Sequence, residues 1–399
     1  MDLSYGETAE TFRKEVRGFL GREWQPAGRR GAELKEFVRA FRRLAVEQGY
    51  LYRSVPRIYG GSEQPVDVIR AQVIREEFGR ARAPMEVGGN GVNMTVPTLL
   101  ERGTEEQREL FIRKTIEGDY IWGQGYSEPG SGSDLASVRT RAELSPDGSR
   151  WIINGQKIWT SMGMQATHMF MLVRTEPDAP KHEGITYLLL DLDQSGITRR
   201  PIRQMTGEEG AHTFCEFYFD NAETPVGWQV GERGQGWFVS RTTLKHERAS
   251  IGSADGLGRQ FGKLVDLARE TGRLADPVVR DRLAQIEGRV LSHRYSSFRL
   301  FSCAAAGDDA GPIQLMMKLL LTEIGHDIAL LAQDLIGDAA MTEPRGAGTG
   351  AGRGPNKWLD QIMGSLGNSI AGGASNIQRN IIGERGLGLP RDLAMAGER

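Results

Sequence analysis

Residues that form disulfides or bind transition metals are scarce in this 399-residue sequence. Cys215 and Cys303 are its two cysteines, and they lie far apart in the chain. The six histidines include no pair separated by one helical turn, a spacing that suits a metal site on a helix. We therefore expect neither a disulfide framework nor a metal centre.

The sequence also lacks a large net charge and a long apolar run. Its formal net charge is -2 with acidic and basic residues mixed along the chain, so we expect no surface for nucleic acid. No uncharged apolar run reaches membrane-spanning length, and Met1 to Gly6 lack the basic and apolar regions of a secretion signal. These absences predict a cytoplasmic protein without a membrane span.

With 39% hydrophobic residues the chain can bury a substantial core, and the spacing of its apolar residues predicts an α+β fold. From Tyr5 to about Gly118 the spacing is helical, and Thr104 with Gln107 predicts a capping box at a helix start. From Trp237 onward helical spacing returns and predicts a helix bundle, with Pro277 and Pro312 in first-turn positions. The glycine-rich segment between Thr342 and Asn356 reads as a linker, because it has no Gly-Lys-Ser/Thr ending and no preceding strand.

Between these helical regions, from Ile121 to about Gly231, the spacing changes to that of strands. Ser145-Pro146-Asp147-Gly148 predicts one turn between strands, and Asn154-Gly155 predicts another. Because the connections are short, we expect an antiparallel sheet that is closed or nearly closed.

Two segments in the strand region have the composition of a binding site. Gly125 to Asp134 reads Gly-Tyr-Ser-Glu-Pro-Gly-Ser-Gly-Ser-Asp, with glycines that permit close backbone approach and several hydroxyls. Asn154 to Ser161 reads Asn-Gly-Gln-Lys-Ile-Trp-Thr-Ser, where a Trp could lie against an aromatic ring. The composition suits a flat, polar ligand, although a turn over a core aromatic residue would have the same composition.

The order and spacing of these two segments closely resemble the paired signature of the acyl-CoA dehydrogenase flavoproteins. The segment from Asn376 to Pro390 resembles the C-terminal block of the same family, so the resemblance covers nearly the whole chain. It implies an N-terminal helical domain (1–120), a β-barrel-like antiparallel domain (121–233) and a C-terminal helix bundle (234–399). It also implies oxidation of an acyl-CoA thioester, with a proton passing to a base and a hydride to N5 of FAD.

The resemblance bears directly on which carboxylate is the base. In many members a Glu five residues before the Ile-Gln-Arg sequence has this role, but here that position is Gly372. A minority, similar to isovaleryl-CoA dehydrogenase and bacterial steroid side-chain dehydrogenases, carries the base in a Leu-x-x-Glu-Arg sequence. Leu244-Lys245-His246-Glu247-Arg248 matches that sequence, which implies Glu247 as the base. An ordinary exposed ion pair on a helix is the alternative interpretation of Glu247 and Arg248.

The family pattern also implies which residues surround the ligands. Arg248, Gly372, Gly373 and Ser133 are expected next to the substrate, with the Gly372 backbone N–H on the thioester carbonyl. Lys245 and His246 could lie near the CoA phosphates, although solvated helix residues are the simpler interpretation. The residues expected to contact FAD are Gln124, Tyr126, Ser127, Gly132, Ser133, Trp159, Thr160, Ser161, Arg273, Ser375 and Asn376.

Two family segments that bind the adenine half of FAD across a subunit interface depart from the pattern here. Only Arg273 survives of one, and only one glycine, in the stretch from Asp334 to Asp338, survives of the other. The expected assembly is a homo- or hetero-oligomer, with an electron-transfer flavoprotein as the electron acceptor. Two alternatives remain open: a flavin-poor or non-catalytic subunit of a hetero-oligomer, and a flavin oxidase on the same scaffold.

Overall fold

The computed structural model describes residues 5–205, 214–251, 255–338 and 356–390. These residues form two compact units, the first built from residues 5–202 and 214–246 and the second from the remainder. Helices, then strands, then helices follow each other along the chain, which confirms the predicted α+β fold class. No helix in the described ranges has an apolar stretch long enough to cross a membrane.

The first unit begins with helices whose apolar faces form its core. In α1, Phe12, Val16 and Leu20 recur at helical spacing and are buried. Thr104 and Gln107 form the predicted capping box at the start of α5. A π-helical turn, Gly91–Thr95, leads directly into α4. The helices are α1 (Glu7–Glu23), α2 (Gly31–Glu47), α3 (Val68–Ala81), α4 (Val96–Arg102) and α5 (Glu105–Glu117).

An eight-stranded sheet completes the first unit. The strands are β1 (Trp122–Gly125), β2 (Arg141–Leu144), β3 (Arg150–Ser161), β4 (His168–Arg174), β5 (Ile185–Asp191), β6 (Ile197–Pro201), β7 (Phe214–Pro225) and β8 (Gln229–Val230). They are ordered β6-β7-β3-β2-β4-β5-β8, with β1 beside β4. The pairs β1·β4 and β2·β4 are parallel, and the other pairs are antiparallel as predicted. No ladder joins β6 to β8 in the described part of the chain, so the sheet is open there.

The predicted turn at Asn154-Gly155 is wrong, because these two residues lie inside β3. They occupy an irregularity where the pairing of β3 with β7 shifts register. Gly155 has φ 147°, and a Cβ there would lie 2.7 Å from the Cα of Thr140. The Asn154 side chain bonds the backbone N–H of Asn221 on β7 at 2.9 Å. The Asn-Gly pair therefore bends a long strand instead of ending it, whereas the turn predicted after Ser145 does join β2 to β3.

The two faces of the sheet pack into different cores. On β4, Phe170 and Leu172 face the N-terminal helices, whereas Met169, Met171 and Val173 lie in a second cluster formed within the sheet. This alternation is the period of two expected for a strand. Because all five side chains are fully buried, β4 runs through the centre of the unit and can hold its neighbours in fixed positions.

The second unit is helical, as predicted. α6 (Gly236–Ile251) begins in the first unit, and its residues from Glu247 onward belong to the second. The remaining helices are α7 (Asp255–Glu270), α8 (Pro277–Ala306), α9 (Ile313–Ile336), α10 (Asn356–Asn368) and α11 (Ser375–Ile381). Pro277 occupies the first turn of α8, and Asp276 caps that helix through the N–H of Val278. Most of the glycine-rich segment, residues 339–355, lies outside the described residues.

Glu77 on α3 joins two helices of the first unit through a cluster of arginines. Its side chain is 2% exposed and accepts hydrogen bonds from Arg13 and Arg17 on α1 and from Arg80 on its own helix. Burial acts to raise the pKa of Glu77, but these three bonds outweigh it and lower that pKa to about 2. The ionised carboxylate is therefore part of what stabilises the packing of α1 on α3.

Replacing Glu77 with Gln should lower the free energy of unfolding at pH 7 by about 2 kcal/mol, a value discounted for the exposure of Arg17 and Arg80. Since the folded pKa is depressed, this contribution is present above pH 4.5 and is lost as the pH falls towards 2. Urea unfolding at several pH values checks the difference between wild type and variant. Glu10→Gln, an exposed partner of the same Arg13, is the control and should cost under about 0.5 kcal/mol. A difference that grows as the pH falls would contradict the assignment.

Candidate active site

The two signature segments are in direct contact in the first unit. The backbone N–H of Ile158 on β3 donates to the carbonyl of Ser127 at 2.9 Å. The buried Thr160 hydroxyl donates to the carbonyl of Gln124 on β1 at 3.1 Å. The long strand β3 therefore supports both the end of β1 and the start of the loop that follows it. The sequence predicted Thr160 beside a ligand ring, and the structure gives its hydroxyl a partner within the protein.

Trp159 is the most conspicuous surface residue of this region. Its side chain is 54% exposed, and its backbone has φ 65°, a left-handed conformation that is costly for a bulky residue. It lies where the pairing of β3 with β7 shifts between Lys157 and Thr160, and its ring meets Phe214 edge-on. Met162 and Met164 are exposed beyond it. The backbone irregularity thus turns an aromatic face outward, and this apolar face would suit the flat ring of a ligand.

The loop after β1 has a defined shape and presents polar groups to solvent. Glu128 and Ser131 exchange backbone hydrogen bonds of 2.9 and 3.0 Å around a tight turn. Gly132 and Ser133 are exposed, and a Cβ built on Gly132 would meet nothing within 4 Å. The loop therefore leaves open space beside the groups that the sequence predicted as ligand contacts, with Ser127 half-buried and Ser161 exposed nearby along the chain.

A buried ion pair that the sequence prediction missed joins the two segments. Lys157 is fully buried, and its Nζ donates to Oε1 of Glu128 at 2.7 Å and to the carbonyl of Tyr126 at 3.2 Å. Burial lowers the pKa of Lys157 to about 8. Burial acts to raise the pKa of Glu128, but Lys157 outweighs it and lowers that pKa. Both groups are therefore charged at pH 7.

The helix that carries Glu247 is anchored one turn before it. Thr243 is fully buried, and its hydroxyl lies 2.9 Å from the hydroxyl of Thr98 on α4 and 3.3 Å from that of Tyr187 on β5. Glu247 itself is half-buried and occupies the same face of α6, because residues four apart share a face. The Arg248 side chain lies outside the described residues. The hydroxyl contacts thus hold the part of α6 that precedes Glu247 against α4 and β5.

Lys245 and His246, considered above for CoA phosphates, both contact a carboxylate. His246 Nε2 lies 2.7 Å from Oε1 of Glu101, and the Lys245 Nζ lies 3.3 Å from the same oxygen. Burial acts to raise the pKa of Glu101, but these two partners outweigh it and lower that pKa. The pair therefore ties α6 to α4 on the outside of the first unit.

In the second unit, the loop between α10 and α11 contains the glycines that the sequence placed beside the substrate. Gly372 has φ 62° and Gly373 has φ 97°, conformations that favour glycine over residues with a side chain. Beneath the loop, the buried Lys318 of α9 donates to the carbonyls of Asn368 and Gly373 at 2.9 and 2.8 Å. Burial lowers the pKa of Lys318. A buried ammonium therefore fixes the path of the loop, and the sequence prediction missed this residue.

The other predicted cofactor contacts in this unit have local partners. Ser375 begins α11, and its N–H donates to the carbonyl of Ser369 at 2.8 Å. Asn376 accepts a bond from Arg379 at 3.0 Å. Arg273 lies in a short 3₁₀ turn and pairs with Asp276 at 3.1 Å. These contacts show how the residues are held, and their predicted role towards a cofactor stays a prediction. No cluster suited to a metal ion occurs among the residues that the structure describes.

A helical layer, a sheet and a second helical layer follow each other along the chain, and comparison with known proteins identifies the family that has this order. Models of the N-terminal, middle and C-terminal domains of acyl-CoA dehydrogenase match residues 6–119, 123–222 and 234–387. The chain therefore belongs to the acyl-CoA dehydrogenase family of flavoproteins and is an enzyme of that class. This confirms the resemblance on which the sequence prediction depended.

The chain is similar to several individual members of the family along nearly its whole length. Acyl-CoA dehydrogenase IpdE1 of Mycobacterium tuberculosis is 36% identical over 397 residues, covering 97% of this chain and 99% of IpdE1. The solved structure of the Tcur3481-Tcur3483 steroid ACAD has a TM-score of 0.76 at 29% identity and covers 98% of this chain and 100% of that one. The ChsE4-ChsE5 complex from Mycobacterium tuberculosis has a TM-score of 0.74 at 28% identity, with coverage of 98% and 100%.

Proposed function

We propose that this chain catalyses the FAD-dependent α,β-dehydrogenation of an acyl-CoA thioester and that Glu247 is the base. One observation carries the proposal. The loop position at which many family members have their base is Gly372, held in a left-handed conformation, while Glu247 occupies the alternative Leu-x-x-Glu-Arg position on α6. The family reaction requires a proton acceptor, and Glu247 is the residue of this chain that matches a family position for one.

The residues have distinct tasks in this scheme. Glu247 removes the α-proton as the general base. The N–H of Gly372 donates to the thioester carbonyl and stabilises the negative charge that develops there. A bound FAD would supply the acceptor for the hydride that leaves the β-carbon. Trp159, Ser127 and Ser161 would bind its ring, which fits the outward-facing Trp and the open space beside the loop.

The substrate that we propose has a bulky or branched acyl group, as in a steroid-derived acyl-CoA. Gly372 carries no side chain, so the position at which many family members hold a Glu would leave room for the acyl chain. The Tcur3481-Tcur3483 protein, described as a steroid ACAD, is similar along nearly the whole chain. An electron-transfer flavoprotein is the electron acceptor that we propose.

A second candidate is a subunit of a hetero-oligomer that depends on its partner for part of the flavin site. The segments near Arg273 and Gly337 depart from the family's adenine-binding pattern, and Arg273 is engaged by Asp276. Two of the similar solved structures carry two-component names, Tcur3481-Tcur3483 and ChsE4-ChsE5. Under this hypothesis the chain purified alone contains little flavin and gains activity with its partner.

The experiment that tests the function is anaerobic titration of the purified chain with straight-chain and steroid-derived acyl-CoAs, followed by its visible spectrum. We expect flavin absorption in the purified protein and bleaching by a bulky acyl-CoA, with reoxidation by an electron-transfer flavoprotein. Absence of flavin in the isolated chain would favour the second candidate. Rapid oxygen consumption instead would identify a flavin oxidase, and no bleaching by any acyl-CoA would contradict the proposal.

A further inference from the structure

The Glu128–Lys157 pair connects the two motifs through residues that lie 29 positions apart in the sequence. On β3, Lys157 directly precedes Ile158, which bonds the loop, and lies three residues before Thr160, which bonds β1. Its Nζ bonds both the Glu128 carboxylate and the Tyr126 carbonyl, one residue on either side of Ser127. The Lys157 ammonium therefore binds the loop on both sides of Ser127, a predicted flavin contact.

Glu128 in turn binds the chain beyond the loop, just before β2. Its Oε2 accepts the N–H of Arg139 at 2.6 Å, and its Oε1 accepts the N–H of Thr140 at 2.9 Å in addition to Lys157. The residue is buried, and its backbone closes the turn with Ser131. One carboxylate thus joins the beginning of the loop, the strand region that follows the loop, and β3.

The Glu128–Lys157 ion pair is better suited to fixing a geometry than to adding stability. Desolvation offsets much of the attraction in a buried ion pair, and two apolar residues of similar size often stabilise a fold equally well. A directional pair differs because it fixes a single loop geometry. Here the fixed loop is bonded to Ile158, the residue before the exposed Trp159.

We propose that Lys157 and Glu128 are positioning residues that lock the loop from Tyr126 to Ser133 against β3 in its cofactor-binding shape. That this shape binds FAD rests on the proposed function. Loss of the pair loosens the loop, which keeps its backbone bond between Ser127 and Ile158, while the sheet, whose two faces pack into large apolar cores, remains folded.

The test uses the full-length chain with Lys157→Met, and with Lys157→Met combined with Glu128→Gln so that no unpaired buried charge remains. Hydrogen exchange of the ligand-free protein should become roughly tenfold faster in the loop, and not in the β2–β3 hairpin, as expected when the effect of the lost contact is local. Affinity for added FAD, measured by fluorescence, should fall by roughly tenfold or more.

Ile153→Ala is the matched control, because Ile153 is fully buried on the same strand and packs in the sheet core. When the two proteins are compared at an equal loss of melting temperature, Ile153→Ala should change loop exchange and FAD affinity less than the double variant does. Loop exchange that is unchanged, or that rises uniformly along β3, would overturn the proposal. Hydrogen exchange is measured without ligand, so it tests the locking role even if the wild-type chain binds no FAD. Failure of the wild-type chain to bind FAD would contradict the proposed function instead.

Discussion

Replacing Glu247 with Gln is expected to slow flavin reduction by a saturating acyl-CoA by roughly 10³-fold or more, at the upper part of the range for general base catalysis. Gln keeps the size of the side chain and cannot accept the α-proton at neutral pH. Because the substitution leaves the loop and β3 unchanged, flavin content and acyl-CoA binding should stay close to those of the wild type. The visible spectrum gives the flavin content. Anaerobic stopped-flow absorbance at several acyl-CoA concentrations then gives the reduction rate and the acyl-CoA binding.

A control carboxylate separates this effect from a loss of charge in the same unit. Glu323 on α9 pairs with Arg289 at 3.1 Å and with Arg379 at 2.7 Å and is not one of the residues assigned to the proposed site. Glu323→Gln should therefore change the reduction rate by no more than about threefold. If the Glu247 variant reduces its flavin as fast as the wild type, another group removes the proton, and the ordinary ion-pair interpretation of Glu247 and Arg248 is the better one.

Much of the secondary structure was predictable because its causes are local in sequence. The Thr104 and Gln107 capping box depends on residues three apart, and the turn after Ser145 depends on Pro, Asp and Gly in adjacent positions. Asn154-Gly155 failed for the opposite reason. A short Asn-Gly pair fits either a turn or a bulge, and the pairing of β3 with β7 decides between them. That pairing brings Asn154 to Asn221, 67 positions further along the chain.

The candidate site likewise contains residues that the sequence could predict and residues that it could not. Motif residues such as Ser127, Trp159 and Glu247 were recognisable because the family pattern keeps them at fixed positions in the sequence. The groups that hold them were not, because their partners are remote. Thr243 bonds Thr98 across 145 positions, and Lys318 bonds Gly373 across 55. A buried lysine in an apolar strand or helix is the signal that could have found Lys157 and Lys318, since an ammonium without a partner is too costly to bury.

The second large effect concerns moving the carboxylate within the second unit. Gly372→Glu in the Glu247→Gln background should restore reduction by a short acyl-CoA roughly tenfold or more above the single variant, because it returns a base to the position used by many family members. Recovery should be incomplete. The left-handed backbone of Gly372, with φ 62°, costs a residue with a side chain about 1–2 kcal/mol and displaces the carboxylate from its best geometry.

The same substitution in the wild-type background distinguishes a base from a filler of space. Gly372→Glu alone should lower kcat/KM for a bulky acyl-CoA far more than for a short one, since the new side chain occupies the room that glycine leaves. Gly372→Ala combined with Glu247→Gln carries the same backbone strain without a carboxylate and should recover nothing. Equal recovery by the Ala and Glu double variants would show that relief of packing, and not a relocated base, had restored the reaction. Only a difference between them supports the view that the base in this chain has moved to α6.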